Sequence, residues 1–162
     1  MSTVGSFITG YSLLDQSEIT LRNYPYPFIK NNVYNDLYIV IPSTYEPESY
    51  AAANKIAQSL KETKSLLPKI VSTEEVPQGE HNLILVGNPC SNKLISNELN
   101  TNKCIITENG MLKLINHEMS STLVITGNLE KAARALSNYR NYPLRGDTVV
   151  VSGTESLTLT YF

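Results

Sequence analysis

The chain is predicted to be an α/β protein, a three-layer sandwich with a mainly parallel sheet between layers of helices. Short apolar runs alternate along the sequence with segments whose apolar residues repeat at helical spacing, which is the pattern of βαβ units. Several of the runs are apolar at every position, as in strands covered on both faces. At 162 residues, with 41% hydrophobic and 17% charged residues, the chain is long enough for one domain with a substantial core.

The N-terminal part divides into an extension and the start of the domain. Residues 1–23 are polar and mixed and are predicted to form an extension, followed by one α/β domain over residues 24–162. Alternating apolar and polar residues at 17–22 predict an edge strand within the extension. The segment Tyr24-Pro-Tyr-Pro-Phe28 is predicted to be extended, because each proline fixes its own φ and keeps the preceding residue out of the helical region.

The first buried strand and the first helix follow. Leu37–Ile41 is a continuous apolar run that ends at Pro42, which is typical of a strand covered on both faces. A helix is predicted next, with Ser43 or Thr44 as its cap. Its core-facing stripe has the spacing i, i+3, i+4, i+7 and consists of Ala53, Ile56, Ala57 and Leu60.

The rest of the chain alternates in the same way. Apolar runs predict four further strands, at residues 68–71, 83–86, 111–115 and 123–126. A short helix is predicted between residues 91 and 99. A longer helix is predicted after Asn128, which is its expected cap. The stripe of the longer helix consists of Leu129, Ala132, Ala133 and Leu136.

Two strands are predicted to end the chain, at residues 149–151 and 156–160. The second of them alternates apolar and polar residues, which favours an edge position with one face in water. We therefore predict a flavodoxin-like or Rossmann-like central sheet with antiparallel edge strands from both termini, which are able to pair with each other.

Composition and charge exclude several classes of partner. The formal net charge is −2 and the sequence contains no basic run, so nucleic-acid binding is not predicted. No apolar run approaches the roughly 20 residues that cross a bilayer, so no membrane span is predicted. The first residues lack the features of a secretory signal, which by itself indicates a cytoplasmic protein. A mature piece of an exported protein is the alternative.

Two cysteines, Cys90 and Cys104, lie just after a predicted buried strand and just after the predicted short helix. A disulfide between them would close a loop of about 15 residues and stabilise the fold by roughly 3 kcal/mol. This arrangement favours a structural crosslink, with two unpaired thiols as the alternative. A disulfide is unusual in the cytoplasm and common in exported proteins, and the residues leave the choice of compartment open.

Residues that could support catalysis or bind a cofactor are sparse. The predicted strand ends contain neither a G-x-G-x-x-G nor a G-x-x-x-x-G-K-[ST] loop, so no phosphate-bearing cofactor is expected. A nucleophilic Cys90 would need His81 or His117 as its base. His81 lies at the opposite end of the same strand, and His117 lies in a polar turn. No His or Cys pair has metal-ligand spacing, and we predict no catalytic, cofactor or metal site.

The first half of the chain contains the segment Tyr24–Lys30, the strand Leu37–Ile41 and the alanine-rich helix through Ala51–Ala57 in succession. The second half contains the strand and turn at Asn82–Lys93, Cys104, and the segments Gly110–Leu114, Leu123–Gly127, Lys131–Leu136, Ser137–Tyr142 and Leu144–Gly153. In order and spacing, over residues 24–160, this set resembles the conserved core of archaeal surface-layer (S-layer) proteins.

This resemblance implies an extracellular cell-wall protein that assembles by self-association, with Cys90 and Cys104 joined as a disulfide. The mechanism that we expect is lateral packing through exposed β-edges or polar surfaces. The chain differs from the family at Asn88, where a second glycine is usual.

A smaller set of the same features consists of Tyr-Pro-Tyr-Pro-Phe at residues 24–28, the alanine-rich helix, and the strand Asn-Leu-Ile-Leu-Val-Gly at residues 82–87. This set resembles the regulatory periplasmic subunit of bacterial cellulose synthase, which has such segments on flavodoxin-like modules. It implies an alternative function, the binding or scaffolding of a polysaccharide, with tyrosine rings stacked on sugars. The tyrosines considered for this role are Tyr24, Tyr26, Tyr50 and Tyr139.

Overall fold

One seven-stranded sheet runs through the middle of the protein in the computed structural model, which describes residues 15–61 and 66–162. The strands of the described residues are β1 (Ile29–Lys30), β2 (Val33–Tyr34), β3 (Leu37–Ile41), β4 (Lys69–Ser72), β5 (Asn82–Val86), β6 (Gly110–Asn116), β7 (Ser121–Gly127), β8 (Thr148–Gly153) and β9 (Leu157–Tyr161). The α-helices are α1 (Pro47–Lys61), α2 (Lys93–Leu99) and α3 (Leu129–Ser137). β1 and β2 form a separate small hairpin.

The strand order in the large sheet is β4-β3-β5-β7-β6-β8-β9. β4, β3, β5 and β7 are parallel neighbours, whereas β6, β8 and β9 join through antiparallel pairings. The α/β class predicted from the sequence is therefore confirmed. The antiparallel section is larger than predicted because it includes β6, which a four-residue turn connects directly to β7. A connection this short joins only antiparallel strands.

Helices cover both faces of the parallel section. The larger core lies between the sheet and the helices α1 and α3, and it includes Ile39, Ile84 and Leu123 from three adjacent strands. The smaller core lies on the other face, where Ile95 of α2 packs with Val40, Leu85 and Val124. Because strand side chains alternate between faces, the continuous apolar runs of β3, β5 and β7 supply both cores.

The alanine-rich stripes bring α1 and α3 together. All four residues of the predicted α1 stripe are at most 1% exposed, and the α3 stripe is buried as well, with Leu129 the most exposed of its four residues at 7%. Asn128 caps α3 as predicted, since its side chain accepts a hydrogen bond from the Lys131 N–H (3.1 Å).

The predicted cap of α1 at Ser43 or Thr44 is wrong. The helix begins at Pro47, a residue suited to the first helical position because it has no N–H to satisfy and its φ is already helical. Glu46, immediately before the helix, accepts a hydrogen bond from the Ser49 hydroxyl (2.9 Å). The loop between β3 and α1 is therefore longer than predicted.

The strand predicted at residues 17–22 is also wrong, because two short 3₁₀ turns occupy Gln16–Glu18 and Leu21–Asn23. Side chains cap each turn locally: the Asp15 N–H donates to Glu18 and the Thr20 N–H donates to Asn23. Ile19 and Leu21 are buried nonetheless. The alternation of buried and exposed side chains was therefore predicted correctly. It arises from two capped turns and not from a strand that is hydrogen-bonded to a neighbouring strand. No segment of residues 15–28 pairs with β9, and residues 1–14 lie outside the described residues.

The segment Tyr24–Phe28 is a compact turn and not the extended segment that was predicted. The Tyr24–Pro25 and Tyr26–Pro27 peptide bonds are cis. Backbone hydrogen bonds close the turn, from Tyr26 N–H to the Asn23 carbonyl and from Ile29 N–H to the Pro25 carbonyl. Tyr24 and Phe28 both enter the larger core. The proline rules restrict the backbone of single residues and do not decide whether the whole segment is extended or folds into a turn.

Candidate functional site

A cleft of about 710 Å³ opens at the carboxyl ends of the parallel strands. It lies where β3 leads into α1 on one face of the sheet and β5 leads into α2 on the other face. In open α/β sheets such a switch in the direction of the connections leaves a crevice, and this is where ligands bind. The cleft also has the size of a small-molecule site.

The cleft has an apolar floor and a polar rim. Ala52, Leu129 and Ala133 form the floor between the amino-terminal parts of α1 and α3, and all three are buried. The charged rim residues are Glu46, Glu48, Lys55 and Glu130, and the uncharged polar residues are Asn88, Ser91 and Asn128.

Glu46 connects two elements of the rim. One of its carboxylate oxygens, Oε1, accepts hydrogen bonds from the Ser49 hydroxyl on α1 (2.9 Å) and from the Ser91 hydroxyl after β5 (3.3 Å). No local pattern in the sequence predicts this contact, because residues 46 and 91 meet only through the order of the strands. Glu46 is therefore a candidate site residue that only the structure identifies.

The predicted disulfide between Cys90 and Cys104 is present. Their Cα atoms are 4.8 Å apart, within the usual range for this crosslink. Both residues are exposed at the rim of the cleft. The Asn88 side chain adds a second attachment of the same segment, because its Oδ1 accepts a hydrogen bond from the Ile105 N–H (2.9 Å). The disulfide and this bond fix one wall of the cleft.

Asn92 lies within the loop that the Cys90–Cys104 disulfide closes, and its side chain is fully buried. Its Oδ1 caps α2 by accepting hydrogen bonds from the Leu94 N–H (3.0 Å) and the Ile95 N–H (3.3 Å). Its amide nitrogen donates to the carbonyls of Val86 (3.1 Å) and Val40 (3.4 Å). This one side chain therefore joins the ends of two parallel strands to the start of a helix.

The structure separates Cys90 from both histidines considered as its base. His81 and His117 line a second hollow, of about 420 Å³, at the amino ends of the strands. Each ring contacts a carboxylate: His81 Nδ1 lies 2.8 Å from Asp36 Oδ2, and His117 Nε2 lies 2.9 Å from Glu98 Oε2. Since both cysteines are joined as a disulfide, neither is a thiolate nucleophile in this state.

The surroundings of His81 favour its protonated form. Nδ1 faces Asp36 and Nε2 lies 3.1 Å from the Gln78 carbonyl, so both ring nitrogens meet acceptors. Only an imidazolium donates from both nitrogens. The pKa of His81 is raised, mainly by the hydrogen bond to Asp36. Partial burial acts in the opposite direction and lowers the pKa, whereas the hydrogen bond to the Gln78 carbonyl raises it further.

We expect a pH dependence of stability that is specific to His81. A raised folded-state pKa means that this stabilisation is complete below the unfolded-state pKa of about 6.5 and is lost as pH rises through the folded-state pKa. The contribution should be below about 1 kcal/mol, because Asp36 is half exposed. Urea denaturation of the parent and of His81→Gln measures it: the difference in unfolding free energy should be larger at pH 6 than at pH 8. An equal difference at both pH values would contradict the assignment.

The four tyrosines considered for sugar stacking do not form a common platform. Tyr24 is buried, and Tyr139 packs edge-on against it with ring centroids 5.2 Å apart. Burial and, secondarily, the proximity of Tyr139 raise the pKa of the Tyr24 hydroxyl. Tyr26 is half-buried beside the same core, whereas Tyr50 is exposed on α1 and contacts the Tyr45 ring.

The two edges of the large sheet differ in chemistry. β4, at one edge, begins with Lys69 directly after Pro68 and is followed by a 3₁₀ turn that contains Glu74 and Glu75. β9, at the other edge, has the sequence Leu-Thr-Leu-Thr-Tyr, without charge or proline. No segment of residues 15–61 or 66–162 pairs with its outer side.

Comparison with known protein families and with curated proteins finds no match to the chain. Within the described residues, no helix combines the length and apolar character needed to cross a membrane. The same residues contain no group of three or more His, Cys, Asp or Glu side chains arranged to hold a metal ion.

Proposed function

We propose that the chain is a non-catalytic structural domain of a surface-layer-type protein, and that it associates laterally with copies of itself outside the cell. The observation that supports this function most directly is the outer side of β9, which has no partner among the described residues and carries no charge. An edge of this kind pairs readily with another strand, and monomeric proteins usually protect it with charges, prolines or bulges.

The backbone of β9 supplies the groups for such a contact. Phe162 donates its N–H to the Thr148 carbonyl (2.9 Å), and Thr160 lies opposite Val150 in the antiparallel ladder. Hydrogen-bonding direction alternates along an antiparallel strand. The N–H and C=O groups of Leu157, Leu159 and Tyr161 therefore point away from β8 and are available to a further strand.

The partner that we propose for this edge is β9 of a second copy. Two identical edges related by a two-fold axis meet antiparallel, and each outward N–H then faces an outward carbonyl of the other copy. Such a pair would continue the sheet from one copy into the next. β4 is a poorer partner, because Lys69 and the adjacent Pro68 protect that edge.

The disulfide supports an exterior location for the domain. Disulfides persist in oxidising compartments and are rare where thiols are kept reduced. The Cys90–Cys104 crosslink therefore favours the extracellular surface that the resemblance implies over the cytoplasm.

A flavodoxin-like central sheet is part of the same proposal. The parallel section β4-β3-β5-β7 follows the order 2-1-3-4 when its strands are renumbered along the chain. This is the start of the flavodoxin-like order. In our proposal, the antiparallel strands β6, β8 and β9 are an addition to that section.

Lysines on β9 should weaken the association. Thr158 and Thr160 are exposed on β9. When β9 of one copy pairs with β9 of a second copy, these threonines would lie near the same threonines of the second copy. The double variant Thr158→Lys/Thr160→Lys places like charges across the new ladder and should raise the dissociation constant by on the order of tenfold. Sedimentation equilibrium from micromolar to millimolar concentration measures the effect.

The matched control for this experiment is Thr44→Lys/Thr154→Lys, which adds the same charge at exposed threonines outside β9. The control should associate like the parent. A parent chain that stays monomeric up to millimolar concentration would contradict the proposed function. Equal weakening in both variants would mean that net charge, and not the β9 edge, governs the association.

Polysaccharide binding remains the alternative prediction. Of the four tyrosines considered, Tyr50 offers an exposed ring, while Tyr24 is buried against Tyr139. Titration of glucan oligomers by calorimetry distinguishes the two functions. Heat of binding that is lost in Tyr50→Ala would favour the alternative, and its absence would favour the structural function.

A further inference from the structure

We infer that two copies of β9 pair antiparallel in one register, with Leu159 at the two-fold axis, and that Arg145 of each copy binds Glu155 of the other. This inference rests on the proposed association through β9. It goes further because it specifies the direction, the register and the charged contacts of the pairing. Its support comes from the outward backbone groups of β9 and from opposite charges at the two ends of the strand.

The outward backbone groups of β9 favour one register. Leu157, Leu159 and Tyr161 direct their N–H and C=O groups away from β8, as their ladder with that strand requires. In an antiparallel pair of identical strands, all of these groups find partners only when Leu159 lies opposite Leu159 of the second copy. Leu157 of each copy then lies opposite Tyr161 of the other. A shift by two residues leaves Leu157 or Tyr161 of each copy without a partner on the other strand.

A positive charge lies at the carboxyl end of β9. The Arg145 guanidinium lies over the Tyr161 ring, with its Cζ 4.3 Å from the ring centroid. This cation–π contact orients the guanidinium beside the last residues of the strand. Arg145 is exposed, and within the part of the chain that the structure describes it forms no ion pair. The nearby Asp147 carboxylate accepts a hydrogen bond from the Thr148 hydroxyl (3.1 Å).

A negative charge lies at the amino end of β9. Glu155 is exposed in the turn between β8 and β9. The Arg134 guanidinium on α3 donates to the main-chain carbonyls of Thr154 and Glu155, which attaches this turn to the helix. These hydrogen bonds go to carbonyl oxygens, and the Glu155 carboxylate forms no ion pair with any described residue. Its charge is therefore available to a second copy.

Antiparallel pairing brings the opposite charges together. The Tyr161 end of each strand lies beside the Leu157 end of the other, so Arg145 of one copy comes within reach of Glu155 of its partner. The two-fold axis repeats this contact, because each copy presents the same surface to the other. A parallel pairing would instead bring like charges together. Since like charges across an interface are unfavourable, the charges of β9 favour the antiparallel direction.

Charge reversal in the intact, oxidised protein tests these contacts. Arg145→Glu and Glu155→Arg each place like charges at both contacts, and each should raise the dissociation constant by on the order of tenfold. An equal mixture of the two variants should associate as tightly as the parent, because the mixed pair has opposite charges at both contacts. The double variant Arg145→Glu/Glu155→Arg should also associate like the parent. Sedimentation equilibrium at low salt measures all four.

The matched controls are Arg140→Glu and Glu118→Arg. Arg140 also lies over a tyrosine ring, with its Cζ 5.2 Å from the Tyr139 centroid, but it lies outside β8, β9 and the turn between them. Glu118 is exposed in the turn between β6 and β7. Each control changes the net charge by the same amount as its counterpart, and both should associate like the parent.

Two results would overturn the inference and leave the proposed function standing. The first is that the parent associates and that Arg145→Glu and Glu155→Arg associate no more weakly than their controls. The second is that neither the mixture nor the double variant regains the affinity of the parent. A parent chain that stays monomeric up to millimolar concentration would instead contradict the proposed function, and the inference with it.

Discussion

Replacement of Asn92 by alanine should lower the free energy of unfolding by about 3 kcal/mol, since it removes a helix cap and leaves buried backbone groups without partners. Loss of the α2 cap accounts for about 1 kcal/mol of this. The rest of the lost stability comes from the Val86 and Val40 carbonyls, which lose the hydrogen-bond donor that Asn92 supplies. Because Asn92 is fully buried, water does not readily replace that donor. Chemical denaturation of the parent and the variant measures the difference.

Asn128→Ala is the matched control for Asn92→Ala. Asn128 also caps a helix, but it is only partly buried and accepts its hydrogen bond from one backbone N–H, that of Lys131. Its replacement should cost about 1 kcal/mol, the usual value for a cap. If both alanine variants lost the same stability, the junction of the two strands at Asn92 would contribute nothing beyond capping, and our account of this residue would be wrong.

Loss of the Cys90–Cys104 disulfide should also lower the free energy of unfolding by about 3 kcal/mol. The bridged residues are 14 positions apart, and a loop of that size loses about this much chain entropy when it is closed in the unfolded state. The double variant Cys90→Ser/Cys104→Ser and the reduced parent should have similar stability. We expect both to remain folded, because the crosslinked cysteines are exposed and the cores lie elsewhere.

The double variant serves as the internal control, because it has no disulfide for a reducing agent to act on. Its denaturation curve should be the same with and without reductant. A parent protein whose stability is unchanged by reduction would contradict the crosslink, and a decrease in the double variant on reduction would indicate an effect of the reductant itself.

The strands and helices were predictable because their signals are local. The apolar run Leu37–Ile41 and the stripe Ala53–Leu60 each carry the periodicity of one element, and the structure has a strand and a helix at these places. The N-terminal segment was mispredicted for the same reason: Ile19 and Leu21 alternate with polar residues, and a period of two is also produced by capped turns that direct apolar side chains into the core.

The cleft could be predicted only in part. Its crosslink follows from two cysteines that are close in the sequence, and its position at the strand ends follows from the α/β class. The meeting of Glu46 with Ser91 depends on β3 and β5 being neighbours, which no local pattern specifies. The role of Asn92 was not predicted, although the sequence contained a signal for it. An asparagine directly before a helical segment is a preferred helix cap.

Residue-resolved amide hydrogen exchange at rising protein concentration tests the association of β9 most directly. If two copies pair through this strand, the outward N–H groups of Leu159 and Tyr161 should exchange more slowly as concentration increases, while the N–H of Thr160, already directed at β8, should change little. Exchange at Leu159 and Tyr161 that stays fast while the sedimenting mass doubles would place the contact on another surface and contradict the account.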